Sequence, residues 1–372
     1  MKKFSRNFIV LCLLLLSVSA VYAQQFRPAM PSKFTNSSPE RAFNAEGLTG
    51  RSFTNPVTFS CYVHVIDSEG GNVLIDPGYY SGDLKEYVAS IGGVDTVLLS
   101  HNHVDHIIGL NALKKDYPNM KVYIHTLDLD GLYDTNINYS FEKLISEPFV
   151  IDFEVSPLEE GMYKFSGLNV KVIHSPGHSP GSVLYYFADK GLLFVGDTVA
   201  FGRIPRHELG NSNVPDLYES FMRLRYADFP ADTKVFFGHG EYISYGDMLK
   251  NFDCFNKPLT MRIKTHDGKS LTISDYYLDG DMLMIAVQDI AQFLGIGYFC
   301  NEAAKSAVVY LPDKSCLKVK AGSQEADFDG FVMNMKGSAQ FKDGKMYLPG
   351  KFIAGICKPF LNWELSVAKE VK

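Results

Sequence analysis

The chain has 372 residues, 46% of them hydrophobic and 21% charged. That balance is ordinary for globular proteins, excludes a mostly disordered chain, and allows two or three domains. The formal charge is −6, and this acidic excess argues against a nucleic-acid partner, which calls for a basic surface.

"MKKFSRNF" is basic, "IVLCLLLL" is apolar and "SVSAVYA" ends in small residues. That order predicts a secretory signal peptide, cleaved after Ala23. Its apolar stretch, Ile9 to Leu16, is too short for a bilayer that needs about 20 residues. No second such stretch follows, so no membrane span is expected. The reading is of an exported protein, periplasmic or extracellular, with a bacterial organisation. Without Lys2, Lys3 and Arg6 the mature chain carries 33 basic and 42 acidic side chains, a net of −9. Loss of Cys12 leaves five cysteines. An oxidising compartment allows one bridge among Cys300, Cys316 and Cys357, while Cys61 reads as a strand core residue.

Residues 24–50 are rich in Pro, Ser, Asn and Arg and read as a linker or irregular lead-in. Val57, Phe59, Cys61, Val63 and Val65 then alternate with polar residues or Tyr62, a period of two that predicts a half-buried strand. "SEGGN" is a turn, "VLIDPG" a second strand, "DLKEYVASIG" a helix and "DTVLLS" a short buried strand. A single helix is expected through "HIIGLNALKKDY". "KVYIH", "NVKVIHSPGHSPGS", "VLYYFADKGLLFVGDT" and "KVFFGHG" are further strands with their loops.

Four of these strands end in Ser100, Ser175, Gly196 and Gly238, and a His or Asp follows each within three residues. Strand ends hold side chains rigidly over a shared cleft. The groups so gathered are His101, His103, Asp105, His106, His178, Asp197 and His239, five imidazoles and two carboxylates. A pair of metal ions about 3.5–4 Å apart needs such a set, with one carboxylate bridging and three ligands on each side. A closed structural zinc site needs only four ligands. His64, His125, His174, His207 and His266 read as structural or solvent-facing, with His125 and His207 in loops that can line a cleft.

"SHNHVDHIIG" matches the His-x-His-x-Asp-His pattern of the metallo-β-lactamase superfamily. "SPGHSPGS", "GDT" and "GHG" match its later ligand loops, and "SCYVHVI" with "NVLIDPG" its opening hairpin, all in family order over residues 57–250. Within the superfamily the chain resembles hydroxyacylglutathione hydrolases, the glyoxalase II group. The resemblance implies an α/β fold, an αββα sandwich. It implies that His101, His103 and His178 hold one metal, that Asp105, His106 and His239 hold a second, and that Asp197 bridges. Two zinc ions per chain are implied, and iron or manganese also suit these ligands. The implied reaction is attack by a metal-bridging hydroxide on the carbonyl of a small thioester, ester or lactone, with Asp105 orienting the hydroxide. Asp76 is either a partner fixing a ligand imidazole or a turn cap. The alternatives are a non-catalytic metal-binding or interaction protein, and a β-lactamase or phosphodiesterase of the same superfamily.

The hydrolase domain is expected over residues 51–257, and after Lys257 the pattern departs from glutathione-thioester hydrolases. "DGDMLMIAVQDIAQFLGIGYFCNE" and "DGKMYLPGKFIAGICKPFLNWE" repeat one another. Ile290-Ala291 and Ile353-Ala354 lie 63 residues apart, whereas the opening Asp-Gly pairs lie 64 apart. Each copy predicts turn, strand, amphipathic helix, strand. Residues 258–372 resemble the copper amine oxidase N-terminal-like (stalk) domain, a smaller α+β module. That likeness implies no copper, because His266 is the only histidine there. The module reads as a spacer or as a binder of an unnamed partner, and the hydrolase is expected to close its core before the module begins.

Overall fold

The short apolar runs bounded by turns become strands of two stacked sheets in the computed structural model, which describes residues 40–45, 48–54, 61–140 and 148–368. The expected signal peptide and residues 57–60 of the expected strand lie outside the described residues. The first sheet follows chain order: β1 (Glu40–Ala45), β2 (Leu48–Phe53), β3 (Val63–Asp67), β4 (Val73–Ile75), β5 (Thr96–Leu98), β6 (Lys121–His125) and β7 (Ser156–Leu158). Pairing is antiparallel through β4 and parallel from β4 to β7. The second sheet contains β8 (Gly161–Phe165), β9 (Leu168–His174), β10 (Val183–Phe187), β11 (Leu192–Phe194), β12 (Lys234–Phe236) and β13 (Ile243–Ser244), again neighbours in chain order.

Parallel neighbours need crossovers, and α1 (Gly82–Ser90) supplies the first, burying Leu84 and Val88 one turn apart. The helix expected through residues 106–117 is two pieces, α2 (Val104–Ile107) and α3 (Leu110–Asp116). The break falls at Ile108-Gly109, where a side chain on residue 109 would sit 2.6 Å from the Gly78 carbonyl oxygen. Across the second sheet lie α4 (Val214–Arg225), α5 (Tyr245–Asn251) and α6 (Asp253–Asn256). Asn213 caps α4 by accepting from the Asp216 N–H, and Leu217, Phe221 and Leu224 form its buried stripe.

Ile66, Val73, Ile75 and Leu98 of the first sheet meet Val172, Tyr185, Phe194 and Phe236 of the second in one buried layer. Phe194 and Phe236 stack at 4.7 Å. Val65, Leu74, Val97 and Leu99 pack outward on Leu84, Val88, Leu110 and Leu113, and Leu193 and Val235 pack on Leu217 and Phe221. The order of layers is helix, sheet, sheet, helix, the αββα sandwich.

Other expectations change as well. Residues 40–45 and 48–50 of the expected irregular lead-in belong to the β1–β2 hairpin, which extends the first sheet. The strand expected to be half-buried is buried from Val63 to Ile66, because helices cover one face and the second sheet the other. Cys61, Cys254, Cys300, Cys316 and Cys357 are all free thiols, so the bridge allowed among the last three is absent.

Beyond Lys257 come β14 (Leu259–Thr265), β15 (Ser270–Thr272), β16 (Tyr276–Asp279), β17 (Met282–Ala286), α7 (Val287–Leu294), β18 (Tyr298–Asn301), β19 (Ser306–Tyr310), β20 (Cys316–Lys320), β21 (Glu325–Phe328), β22 (Phe331–Asn334), β23 (Gln340–Lys342), β24 (Lys345–Pro349), α8 (Gly350–Cys357) and β25 (Leu361–Val367). The copies are β17–α7–β18 and β24–α8–β25, each element starting 63 residues after its counterpart. The 64-residue spacing of the Asp-Gly pairs has a local cause. The two-residue turn of the first copy is Gly280-Asp281 and that of the second is Asp343-Gly344, which are again 63 apart. The core does not close at Lys257: one buried cluster runs from Leu217 and Phe221 through Met261, Leu283 and Ile285 to Leu361 and Leu365. No described helix is long and apolar enough to cross a membrane.

Candidate metal centre

β5 delivers Ser100 and His101 to the rim of the sandwich, and Asp76, just past β4, stands beside them with φ of 52°. Its carboxylate accepts from the Ser100 N–H at 2.7 Å, the Ser100 hydroxyl at 2.6 Å and His106 Nδ1 at 2.9 Å. The Ser100 oxygen, its proton given to Asp76, faces His101 Nδ1 at 3.0 Å. These partners place a hydrogen on Nδ1 of both rings, so in the neutral ring each Nε2 presents a lone pair. Asp76 therefore contacts His106 directly and His101 through Ser100, rather than only capping its turn. His178 is set the same way, Nδ1 donating to the Arg206 carbonyl at 2.8 Å.

The structure brings all seven predicted groups together. His101, His103 and His178 form one set of converging ligand atoms, and Asp105, His106 and His239 another. Asp197 stands between them: Oδ1 lies 3.5 Å from His106 Nε2, and Oδ2 lies 3.4 Å from His239 Nε2 and 3.6 Å from His178 Nε2. His239 Nε2 also lies 3.0 Å from Asp105 Oδ2. Close backbone approach makes the room. A methyl on Gly238 would sit 2.2 Å from Asp197 Oδ1, and one on Gly196, at φ of 49°, 2.5 Å from the Ser100 side chain.

Burial, then the neighbouring imidazoles His106, His103 and His178, drive the His101 pKa well below the usual value. His103 moves the same way, through burial and then His178. Burial also lowers His178. In the other set burial works against every charge, yet the charges win. His106 is raised by Cys61 and then by Asp197, Asp105 and Asp76, His239 by Asp197 and Asp105, while Asp105 is brought down to about 2 by His106 and His239, and Asp197 is held well below the carboxylate range by the same two rings. One set is thus a nest of neutral nitrogen lone pairs, the other an ion-paired cluster.

His101 Nε2, His103 Nε2, His106 Nε2 and Asp197 Oδ1 are buried without a hydrogen-bond partner. Each such atom costs about 1–3 kcal/mol if left so, and four in one place is the signature of a group that takes lone pairs. Imidazole nitrogen and carboxylate oxygen are ligands of divalent zinc, iron and manganese, so the residues fit a pair of such ions.

Sequence reasoning missed Asp128, three residues past the end of β6. Fully buried, it accepts from the Asn102 N–H at 3.1 Å, the Ser179 hydroxyl at 2.6 Å and the Gly181 N–H at 2.7 Å. It staples the loop of His101 and His103 to the loop of His178. The signal was present: β6 is another strand end followed within three residues by an aspartate. The other histidines stay out of the cluster. His64 is buried against Ser52 Oγ at 2.8 Å, its pKa pushed down to about 4 by burial. His125 and His174 stack on one another at 4.3 Å. His207 and His266 are engaged with backbone groups at Pro205, Leu365 and Pro359. Cys61 is in neither converging set, and burial pushes its thiol up to about 12.

Residues 56–239 match the family model of the metallo-beta-lactamase superfamily, and residues 266–366 that of the copper amine oxidase N-terminal domain. The chain is 28% identical over 191 residues to the probable metallo-hydrolase YqgX of Bacillus subtilis (strain 168), covering 50% of this chain and 86% of that protein. It is 28% identical over 211 residues to a hydroxyacylglutathione hydrolase of Aeromonas salmonicida (strain A449), covering 56% and 73%. The solved structure of TTHA1623 in a di-iron-bound form is 31% identical, covers 53% of this chain and 98% of that one, and superposes with a TM-score of 0.46.

Proposed function

The chain belongs to the metallo-β-lactamase superfamily through residues 56–239, and from that premise we propose that it is an exported, dinuclear zinc hydrolase of a small ester-like substrate, a thioester, ester or lactone. The observation that carries the reading is Asp197 standing between two three-ligand sets, with His101, His103 and His106 Nε2 and Asp197 Oδ1 buried and without a hydrogen-bond partner. Bound there, two divalent cations supply Lewis acidity at a carbonyl oxygen and acidify nearby water. His101, His103 and His178 would hold one ion and Asp105, His106 and His239 the other, with Asp197 placed between the two sets. Asp76 keeps His106 and His101 in the tautomers that ligate, through direct contact and through Ser100. Asp105, held at about 2, stays ionised at neutral pH and orients attacking water by accepting its hydrogen bond. Similarity to a protein named hydroxyacylglutathione hydrolase favours thioester-like carbonyls, while the different module after Lys257 leaves the leaving group open. The basic, apolar and small-residue order of the first 23 residues supports export.

The test is elemental analysis of zinc-reconstituted protein together with turnover of thioesters, lactones, aryl esters, cephalosporins and phosphodiesters. Close to two ions per chain and preference for one carbonyl class are expected. At most one ion would end the dinuclear reading. Two ions without turnover of any substrate would end the catalytic one in favour of a binding role.

A further inference from the structure

His178 is held from one side by a single segment, residues 203–213, which leads into α4. Its ring donates to the Arg206 carbonyl at 2.8 Å, its own carbonyl accepts from the Ser212 hydroxyl at 2.9 Å, and the Asn213 N–H donates to the Gly177 carbonyl at 2.8 Å. Apart from an isolated bridge between Ala200 and Arg203, the segment has no strand or helix to fix it. Its fixed points lie elsewhere.

Two of them belong to the C-terminal module. β25 is the edge of the sheet β15-β14-β25, and the Leu365 N–H on that edge donates to His207 Nε2 at 3.1 Å. His207 Nδ1 in turn donates to the Pro205 carbonyl at 2.9 Å. The ring therefore caps a strand edge with one nitrogen and grips the segment with the other, one residue from the carbonyl that orients His178. Lys358, at the end of α8, donates to the Gly210 carbonyl. A third fixed point is Tyr139, which exchanges hydrogen bonds with Asn211 at 2.8 and 2.9 Å and lies edge-on to His103 at 5.1 Å. The module is itself anchored on α4, where Lys351 pairs with Asp216 at 2.8 Å and the Leu283 N–H donates to Glu219 at 2.7 Å.

We propose that the C-terminal module is a wall of the metal centre: through His207 and Lys358 it fixes residues 203–213 and thereby positions His178. This rests on His178 being a metal ligand. His207 is a positioning residue, removed from the ion by two links, Arg206 and His178. Its effect falls on the ion held with His101 and His103, and leaves the ion held by Asp105, His106 and His239 largely alone.

The test uses the full chain with His207→Ala and two readouts. In metal-free protein, the His178 Nδ1–H proton, hydrogen-bonded to Arg206, is followed by NMR. It is expected to shift and exchange faster in His207→Ala and to stay unchanged in His266→Ala. In cobalt(II) titrations, the affinity for one of two ions should fall about 10–100-fold with a changed visible spectrum, the range typical of lost outer-shell partners. His207→Gln, whose amide oxygen can still accept from Leu365, should recover most of the loss. If His207→Ala does not fold, Lys358→Met tests the same segment and should weaken the same ion. An unaltered His178 resonance in folded His207→Ala, or two unaltered cobalt affinities, would overturn the proposal. A wild-type protein that shows the resonance but binds no cobalt would overturn the ligand assignment on which the proposal stands.

Discussion

At the scale of single residues, the centre depends on groups that never touch a metal. Asp76 accepts from three donors, and the Nδ1–H it takes from His106 leaves that ring's Nε2 free for the site. An amide in its place would turn two hydrogens toward donors and lose the tautomer selection. Asp76→Asn should therefore weaken metal binding about 10–100-fold, while the far-ultraviolet circular dichroism stays native. Equilibrium dialysis against zinc decides it, and undiminished affinity would show that Asp76 only shapes its turn. Asp128 acts differently, because it binds two loops rather than a ring. Asp128→Ala leaves the Asn102 and Gly181 N–H groups buried without their acceptor, and the Ser179 hydroxyl with only Ser182 Oγ to turn to. At about 1–3 kcal/mol per stranded donor, a loss of about 3 kcal/mol or more is expected in urea unfolding.

At the scale of elements, the repeat explains where the module departs from its own pattern. β17 and β24 pair with each other, Ile285 opposite Leu348, so the two copies share one sheet. The helices start at equivalent positions, Val287 in α7 and Gly350 in α8. Val287 is buried in the core, whereas Gly350 is wedged between the hydrolase and its own module's β17: an added methyl there would meet Pro215 Cβ at 3.0 Å, Leu283 at 3.1 Å and Ile285 at 3.2 Å. The missing side chain lets α8 approach the start of α4. Gly350→Val restores the repeat residue and should cost about 1–3 kcal/mol through overpacking, although valine is the better helix former. Unchanged stability in chemical unfolding would mean that the helices part without strain.

At the scale of the whole molecule, the interface between α4 and the module carries an unusual carboxyl group. Burial pushes Glu219 up to about 7, with Asp216 and Asp281 adding to the rise, against the Leu283 N–H and Lys351. A folded-state pKa raised from the ordinary value of 4.5 means that the folded chain binds this proton more tightly than the unfolded one. Its contribution to stability is complete below about pH 4.5 and is lost as pH rises through about 7. Allowing for partial exposure to water, the loss is about 2 kcal/mol. Glu219→Gln keeps an oxygen for Leu283 but cannot ionise. The wild-type melting temperature should therefore fall relative to the variant between pH 5 and pH 8. Parallel curves would place the ionised carboxylate in contact with water. Because buried residues on both sides of Lys257 form one cluster, the interface also sets how cooperatively the chain unfolds.

The sequence alone determined what is encoded locally. His101, His103, Asp105 and His106 sit together because the chain joins them, and the strand-end rule placed His178, Asp197 and His239 around the same rim, since strands of a two-layer sandwich end where their apolar runs end. The 63-residue spacing likewise revealed two copies of one unit. The tertiary structure decided whatever depends on apposition. The β1–β2 hairpin has a composition that reads as irregular, and it is a hairpin because β3 offers it an edge. Burial on both faces of β3 erases the alternation that its sequence suggests, because period two reports chemistry along one strand and not what covers it. Asp128 and His207 meet backbone N–H groups 26 and 158 residues away, and the His178 ring meets the Arg206 carbonyl 28 residues on. A carbonyl or N–H has no identity in the sequence, so only the folded chain shows which ones a side chain meets.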